Sequence, residues 1–273
     1  MADRSGRGGP GRWLSALALV ALLGLALEAG PPLPRGGGLA IAGEFLSAAL
    51  QPALEWEAPG SGLRSSLLAR VAEALGWTLT YALAALTLSL LPGLVLGLLA
   101  VDSAPGASAG RAGRLLRSAA RWLLVGLRSL HELLWAVLLL AAMGLGPGVA
   151  VLALALPLVG TLGKVFAELI DEADPRPAAA LAAGGARPGE SFLLGRVPVA
   201  LPDLAAFSFY RLECTFRSSA VLGFFGFDTI GQQLQASFEE GRYHEVWTEL
   251  YALLVVILLL EVWSAALRRR FVA

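Results

Sequence analysis

The residue types that most often carry out chemistry are few in this chain. Both histidines, His131 and His244, are followed by glutamate, but neither belongs to a His-Glu-x-x-His zinc motif. Gly163-Lys164 is a fragment of a phosphate-binding loop, yet Val165 follows where such loops carry Ser or Thr. The single cysteine, Cys214, excludes a multi-cysteine metal site. The sequence therefore predicts no catalytic centre, and no metal, nucleotide or other cofactor bound by this chain.

Arginines beside serine hydroxyls form a second chemical pattern. Arg217-Ser218-Ser219 and Arg128-Ser129 both occur in or next to apolar sequence. Guanidinium and hydroxyl donors suit an anion that must cross hydrocarbon, and ionisable groups inside membrane helices usually face a bundle interior or a pathway. The pattern favours a role along an anion path. Structural ion pairs at i,i+4 spacing, Arg128 with Glu132 and Lys164 with Glu168, are the alternative.

The elements that must position these residues are membrane-spanning helices. Hydrophobic residues make up 56% of the 273 residues and charged residues 15%, against roughly 45 to 50% and 25% in soluble domains. The apolar residues lie in long blocks, separated by segments that hold most of the charged residues, glycines and prolines. The formal net charge is zero, so composition gives no sign of nucleic-acid binding. The chain is predicted to be an all-α protein of the lipid bilayer.

Six apolar blocks are predicted to cross the membrane. They are Trp13 to Leu27, Ala74 to Val101, Trp122 to Met143, Val149 to Ile170, Val197 to Leu212 and Val246 to Leu267. The first block is short, and a cleaved secretory signal is the alternative to a retained anchor. An even number of spans puts the N-terminal arginines, the predicted 102–121 loop with its four arginines, and the C-terminal arginine triplet on one side. The positive-inside rule makes that side, and both termini, cytoplasmic.

Two regions are expected from this arrangement. Residues 1–73 comprise the anchor helix and a periplasmic loop, and residues 74–273 form the core transmembrane domain. Within the core, residues 171–198 form a polar cytoplasmic loop. The glycine-containing interval from Thr215 to Trp247 is predicted to be a broken or re-entrant helix, which is tolerated at membrane depth only where protein or water covers the backbone.

The cytoplasmic loop carries the most specific pattern of the sequence. Its distinctive residues are Ala179, Ala180, Gly185, Ala186, Val197 and Pro198. They resemble the EAA loop of binding-protein-dependent ABC importer permeases. That family pattern is Glu-Ala-Ala, three residues, Gly, nine residues, Ile, one residue, Leu-Pro.

The match to the EAA loop is partial. With Gly185 on the family's Gly, Pro198 falls on its Pro, whereas Ala179, Gly195 and Val197 replace its Glu, Ile and Leu. The resemblance implies a short helix, a glycine turn and a second short helix that seat in a groove of a separate ATPase. An ordinary alanine-rich connecting loop is the alternative.

Further segments, in the same order along the chain, resemble the phosphonate-transport permeases. They are residues 128–136, 144–147, 162–168 and 217–226. His131 stands where that family has Pro. After Gly226 the chain reads Phe-Asp-Thr-Ile-Gly, where the family usually has Ala-Gly-Gly-Ile-Gly, and so Asp228 adds a carboxylate close to the expected pathway.

The resemblance implies a type I importer permease fold and a homodimer in the bacterial inner membrane. It also implies two ABC ATPase subunits, which would bind ATP and Mg, and a periplasmic substrate-binding protein. The pathway residues that it implies are Arg128, Ser129, Glu132, Arg217, Ser218, Ser219 and Gly223. The chain would move a solute and change no bond.

The identity of the solute is open at this level. A phosphonate is expected, and phosphite, phosphate or an unrelated small solute such as methionine are alternatives within the same class. A membrane-embedded enzyme acting on lipid phosphates, which would need clustered acidic, His or Arg residues near one interface, is an alternative of a different class. A passive scaffold is a third, and it would not need a coupling loop.

Overall fold

A computed structural model describes residues 17, 19–25, 38–57, 64–104 and 110–272 of the chain. The chain divides into two compact units, with the boundary between Ser47 and Ala48. Of the predicted first span, Trp13 to Leu27, residues 17 and 19–25 are helical and the others lie outside the described residues. A short apolar helix, α1, covers Gly38–Ala48.

The second unit is built from helices and one small hairpin. In the hairpin, β1 (Glu55–Glu57) pairs with β2 (Arg64–Ser66) in antiparallel register. The long helices are α2 (Leu67–Ala100), α3 (Gly110–Ser129), α4 (Glu132–Met143), α5 (Pro147–Glu172), α8 (Val197–Val221) and α10 (Tyr243–Val272). The shorter ones are α6 (Arg176–Ala183), α7 (Pro188–Ser191) and α9 (Ile230–Glu239). The all-α fold class predicted from the sequence is confirmed.

Several described helices are long and apolar enough to cross a membrane. Four qualify singly: α2, α5, the continuous run Pro188–Phe225 that contains α8, and the stretch Tyr243–Leu267 of α10. The α3–α4 pair makes a fifth if its two helices, bent by 88°, are counted as one span. These spans contain the predicted blocks after the first, and α2 begins at Leu67, earlier than the predicted Ala74.

The third predicted block, Trp122 to Met143, is not one straight helix. The chain leaves helical conformation at Leu130 and His131, and His131 is extended and caps α4 by accepting a hydrogen bond from the Leu133 amide. The prediction that residues up to Arg121 form a loop is also wrong, because α3 starts at Gly110. Arginines three or four residues apart place their charges along one side of that helix.

The core of the unit is the contact between α2 and α5, with α3 packed beside them. Glycines allow the close approach. A Cβ atom on Gly97 of α2 would lie 2.9 Å from the carbonyl oxygen of Gly163 in α5. On Gly163 it would lie 2.4 Å from the Leu124 side chain of α3. Small residues at helix contacts are typical of membrane bundles, because they let the backbones come together.

The broken helix predicted for Thr215 to Trp247 is present, and the break begins at Leu222. A 3₁₀ turn (Leu222–Phe225) ends the α8 run, and α9 starts at Ile230. The backbone at the break is covered by α2, since Thr78 accepts the Ile230 amide at 3.0 Å and its carbonyl accepts the Ser219 hydroxyl at 2.8 Å. These bonds satisfy polar groups that a broken helix leaves without partners.

Candidate functional site

A polar cavity of about 150 Å³ lies where the α3–α4 bend faces α5 and α8. Its lining residues are Arg128, Leu130, His131, Glu132, Leu154, Pro157, Leu158, Thr161, Arg211, Thr215 and Ser218. Three of the residues predicted along the pathway, Arg128, Glu132 and Ser218, meet here. We call this space the arginine cavity.

The bend fixes one wall of the arginine cavity. Because α4 starts at Glu132, its carboxylate turns towards α8 and accepts a hydrogen bond from the Ser218 hydroxyl at 2.6 Å. The imidazole Nε2 of His131 lies 3.7 Å from the same carboxylate. The predicted i,i+4 pair of Arg128 with Glu132 is not formed, because the helix is interrupted between them.

Helix α8 supplies the opposite wall. Arg211, Thr215 and Ser218 recur at i, i+4 and i+7, which places them on one helix face. The Thr215 hydroxyl bonds to the Arg211 carbonyl at 2.7 Å, so it reinforces the helix beside the cavity. The Nε of Arg211 is buried and has no hydrogen-bond partner within the described part of the chain. Arg211 thus lines the cavity with a cationic side chain whose Nε has no partner among the described residues.

Arg211, Thr215 and His131 were not among the predicted pathway residues. The sequence carried a signal for the first two, namely their spacing from Ser218 along one helix. It carried none for the approach of Arg211 to Arg128, which depends on how α3 and α8 pack across the bundle.

The other predicted pathway residues lie elsewhere. Arg217 pairs with the buried Glu213 one turn earlier on α8, and it borders a separate apolar cavity of about 140 Å³. Ser219 is buried against α2, and Ser129 bonds to a carbonyl of its own helix. Gly223 packs against α9, where a Cβ atom would lie 2.1 Å from the Gln232 nitrogen. None of these four lines the arginine cavity.

The remaining polar candidates have structural partners. The ring Nδ1 of His244 lies 2.7 Å from the Gln51 carbonyl oxygen, which ties the segment before β1 to α10. Lys164 and Glu168 form the predicted exposed i,i+4 pair on α5. No group of three or more His, Cys, Asp or Glu residues among the described positions could hold a metal ion.

The polar loop between α5 and α8 has the helix–turn–helix form that was expected. Helix α6 ends at a turn in which Gly185 has φ +90°, a conformation that favours glycine. Residues 179–185 are exposed, so the tip of the loop is accessible. The second helix differs from the expectation, since α7 runs through a π turn (Phe192–Arg196) directly into α8. We call residues 173–196 the coupling loop.

The coupling loop has no room for a side chain at Gly195, where the family has Ile. A Cβ atom at this position would lie 2.6 Å from the Cα of Ala178 and 2.8 Å from its nitrogen. The backbones of α6 and the π turn are therefore in direct contact. An isoleucine cannot occupy this position unless the two segments separate.

Comparison with known proteins places these features in a family. The phosphite transport system permease protein PtxC of Stutzerimonas stutzeri is 39% identical over 157 residues, which are 58% of this chain and 57% of that protein. A putative cryptic phosphonate transport system permease protein, PhnE2 of Escherichia coli K12, is 31% identical over 121 residues, 44% of this chain and 99% of that protein. The chain belongs to the phosphonate-type family of ABC importer permeases.

The fold agrees with this assignment. A crystal structure of an amino acid ABC transporter superimposes with a TM-score of 0.64 at 18% identity, over 74% of this chain and 94% of that chain. The type I importer permease fold expected from the resemblance is thereby confirmed, and the permease is a multi-pass membrane protein. The chain matches only 57% of the length of the phosphite permease. No protein-family model matches it.

Proposed function

We propose that this permease is the membrane-spanning subunit of an ATP-driven importer that carries a phosphonate, or the related oxyanions phosphite and phosphate, across the bacterial inner membrane. Its relatives are described as phosphite and phosphonate permeases. The observation that carries the proposal is the arginine cavity, which is lined by Arg128, Arg211, Thr215 and Ser218. The chain itself would be a transporter subunit and not an enzyme.

The charges of the arginine cavity favour an anion. Two arginines and one carboxylate line the cavity, and that carboxylate already accepts the Ser218 hydroxyl. Arg211 lines the cavity, and its buried Nε has no hydrogen-bond partner among the described residues. A small movement of this side chain would let Nε donate to an oxyanion without breaking an existing hydrogen bond. Guanidinium groups bind tetrahedral oxyanions through two parallel hydrogen bonds, which an ammonium group cannot do.

The size of the arginine cavity favours a small solute. Its 150 Å³ corresponds to the volume of about five water molecules in the liquid. A phosphonate with a short substituent fits this volume. The apolar residues Leu154 and Leu158 line the same space and can contact a short alkyl substituent.

The coupling loop supports the proposed partners. Its exposed tip, with Ala179, Ala180 and Leu181, is suited to a groove on a separate ATPase subunit, which would bind ATP and Mg. We infer a permease homodimer with two such ATPases and a periplasmic binding protein that delivers the solute. Both termini would lie in the cytoplasm, on the same side as the coupling loop. Closure of the ATPases would then draw the two coupling loops together and open the pathway outwards.

Transport by the reconstituted importer tests the proposal. The permease, its candidate ATPase and its binding protein are placed in proteoliposomes, and uptake of labelled phosphite, phosphate and methylphosphonate is measured together with ATP hydrolysis. Arg211→Gln should lower uptake by about tenfold or more, the loss of roughly 1.4 kcal/mol of anion binding. The matched control is the double replacement Arg217→Gln with Glu213→Gln, which changes an arginine six positions away but outside the cavity.

Each outcome decides one part of the proposal. Equal losses in the two variants would contradict the assignment of the arginine cavity. Stimulated ATP hydrolysis without uptake of any phosphorus oxyanion would contradict the proposal that the solute is a phosphorus oxyanion. Failure to associate with any ATPase would overturn the importer function.

A further inference from the structure

The cytoplasmic end of α5 receives an arginine from the coupling loop. Arg196, in the π turn, donates from Nε to the carbonyl oxygen of Ile170 at 2.9 Å and from Nη2 to the carbonyl oxygen of Asp171. The last carbonyls of a helix have no partner within the helix, so a cationic donor satisfies them and interacts favourably with the helix dipole. Arg196 thereby caps α5.

The capped end of α5 is bonded in turn to α2. The two carboxylate oxygens of Asp171 accept the backbone amides of Asp102 and Ser103, both at 2.9 Å. These amides directly follow the C-terminal end of α2. A carboxylate that accepts two backbone amides holds the two helix ends in one relative position.

A third set of bonds joins α3 to the C-terminal end of α2. Arg121 donates from Nε and Nη2 to the Ala100 carbonyl at 3.0 and 2.7 Å, and its Nη2 lies 2.7 Å from the Asp102 carboxylate. Arg117 approaches the same carboxylate at 3.4 Å. Together with the glycine contacts of the core, these bonds make α2, α3 and α5 one packed unit. We call it the three-helix unit.

The coupling loop is joined to the end of α5 at two points, while its other end continues directly into α8 and its Phe192 is buried in the same apolar core. One point is the chain itself, where residues 173–175 connect α5 to α6. The other is Arg196, which lies beyond α6 in sequence but is held close to it, because Gly195 contacts the Ala178 backbone directly. Without the Arg196 bonds, the end of α5 would be joined to the loop only through residues 173–175, about which α6 could pivot, whereas the second attachment fixes the orientation of the loop relative to α5.

We propose that Arg196 is a positioning residue that fixes the coupling loop to the three-helix unit, so that movement of the loop tilts α2, α3 and α5 instead of pivoting at residues 173–175. Asp171 extends the attachment to α2. This inference rests on the proposed importer function, because it concerns how the loop transmits the movement of an ATPase. It assigns a role to an arginine outside the arginine cavity.

Two measurements on the same variants test the inference. In a Cys214→Ser background, spin labels at Ala179→Cys and Ala104→Cys report the distance between the tip of the coupling loop and the end of α2, using the permease alone in lipid nanodiscs. ATP hydrolysis stimulated by the loaded binding protein is then measured in the complete importer. Arg187→Gln, which removes a charge from an exposed arginine of the same loop, is the matched control.

The intact permease and Arg187→Gln should give one narrow peak for the distance within a protomer. Dilution of labelled with unlabelled permease removes the distances between labels of different protomers. Arg196→Gln should broaden this peak and reduce the stimulation of ATP hydrolysis by about tenfold, within the usual range of coupling between sites, while association with the ATPase persists. Arg196→Lys can donate to only part of the carbonyl pair. Its distance distribution and its stimulation of ATP hydrolysis should therefore be intermediate between those of the intact permease and Arg196→Gln. Arg196→Lys keeps the test decisive if Arg196→Gln does not fold.

Full stimulation in a folded Arg196→Gln variant overturns the inference whatever the distances show. An unchanged narrow distribution overturns it as well, because the other attachments of the loop would then be enough to fix it. If the unaltered permease associates with no ATPase, the proposed function fails instead, and the distance measurement still reports the attachment by itself.

Discussion

The hydroxyl of Ser218 in α8 donates a hydrogen bond of 2.6 Å to the carboxylate of Glu132, the first residue of α4 and 86 positions earlier in the chain. This bond joins the two walls of the arginine cavity. It also orients the one carboxylate that competes with an anion for Arg128 and Arg211. The strength of solute binding should therefore depend on this pair.

Glu132→Gln should tighten binding of the oxyanion. The amide keeps an oxygen that accepts the Ser218 hydrogen bond, but it removes a negative charge from the lining of the cavity. Loss of a nearby like charge should lower the apparent KM for uptake by roughly threefold to tenfold. Initial rates of uptake at graded solute concentrations measure this.

Ser218→Ala is the opposing variant for the same cavity. The substitution removes the hydrogen bond that holds the Glu132 carboxylate, which can then approach Arg211. Because Glu132 then competes more strongly with the solute, the apparent KM for uptake should rise. Changes in the same direction in both variants would contradict the assignment of Glu132 as a competitor of the solute.

Gly231→Ala should destabilise the permease. A Cβ atom at Gly231 would lie 2.0 Å from the carbonyl oxygen of Ala220, a backbone atom that cannot swing away. Overpacking of this kind costs about 1 to 3 kcal/mol or more, and it should lower the midpoint of thermal unfolding in detergent. The break between α8 and α9 is the region expected to open.

Gly76→Ala is the matched control for Gly231→Ala. Gly76 lies inside α2, and a Cβ atom there would have no neighbour within 4 Å. Alanine is favoured over glycine in a helix by up to about 1 kcal/mol, so this variant should unfold at the same or a higher temperature. Equal destabilisation by the two substitutions would argue against the tight contact at Gly231.

Much of the fold follows from hydropathy alone. Predicted blocks such as Val149 to Ile170 lie within observed helices, because the length of an apolar helix is set by the thickness of the membrane. Gly185 was assigned correctly to a turn, since its position in the loop pattern requires a glycine. The helical state of residues 110–121 was missed, because arginines and small residues lower the mean hydropathy without breaking a helix. The bend at His131 was missed, because the apolar block continues through it.

The candidate site was predicted only in part, for a geometric reason. Arg217 and Ser218 are neighbours in sequence, but consecutive residues on a helix point about 100° apart, so only Ser218 faces the arginine cavity. Arg211 shares that face through its i,i+7 spacing from Ser218. The meeting of Arg128 with Arg211 depends on the packing of α3 against the rest of the bundle, which no local pattern encodes.

The ion pairs of Asp102 should give a small pH dependence of stability. Hydrogen bonding to Arg121 is the main cause that lowers the pKa of the Asp102 carboxyl, with the charge of Arg117 contributing. A group whose pKa is lowered by folding stabilises the folded state above its unfolded pKa, about 4 for Asp, and loses this contribution as pH falls through the lowered value. Because the side chain is 66% exposed, solvent screening limits the effect to about 1 kcal/mol or less.

Thermal unfolding of Asp102→Asn tests this dependence. The variant should unfold at a lower temperature than the unaltered permease at neutral pH, and the difference should shrink below about pH 4 as Asp102 becomes protonated. The exposed pair of Lys164 with Glu168 is the comparison, since Lys164→Gln should change stability by only a few tenths of a kcal/mol at neutral pH. A constant difference across the whole pH range would show that the Asp102 charge does not contribute.

Restoring the family's isoleucine at Gly195 should damage the permease. The contact of Gly195 with the Ala178 backbone leaves no room for a side chain, so Gly195→Ile must separate the π turn from α6 and move Arg196 away from the end of α5. Val197→Leu, which restores the neighbouring family residue at a half-buried position, is the control and should be tolerated. Yield, unfolding temperature and stimulated ATP hydrolysis are measured for both. Normal coupling in Gly195→Ile would mean that the loop can rearrange around a side chain, and that its close backbone contact is not needed to hold Arg196 in place.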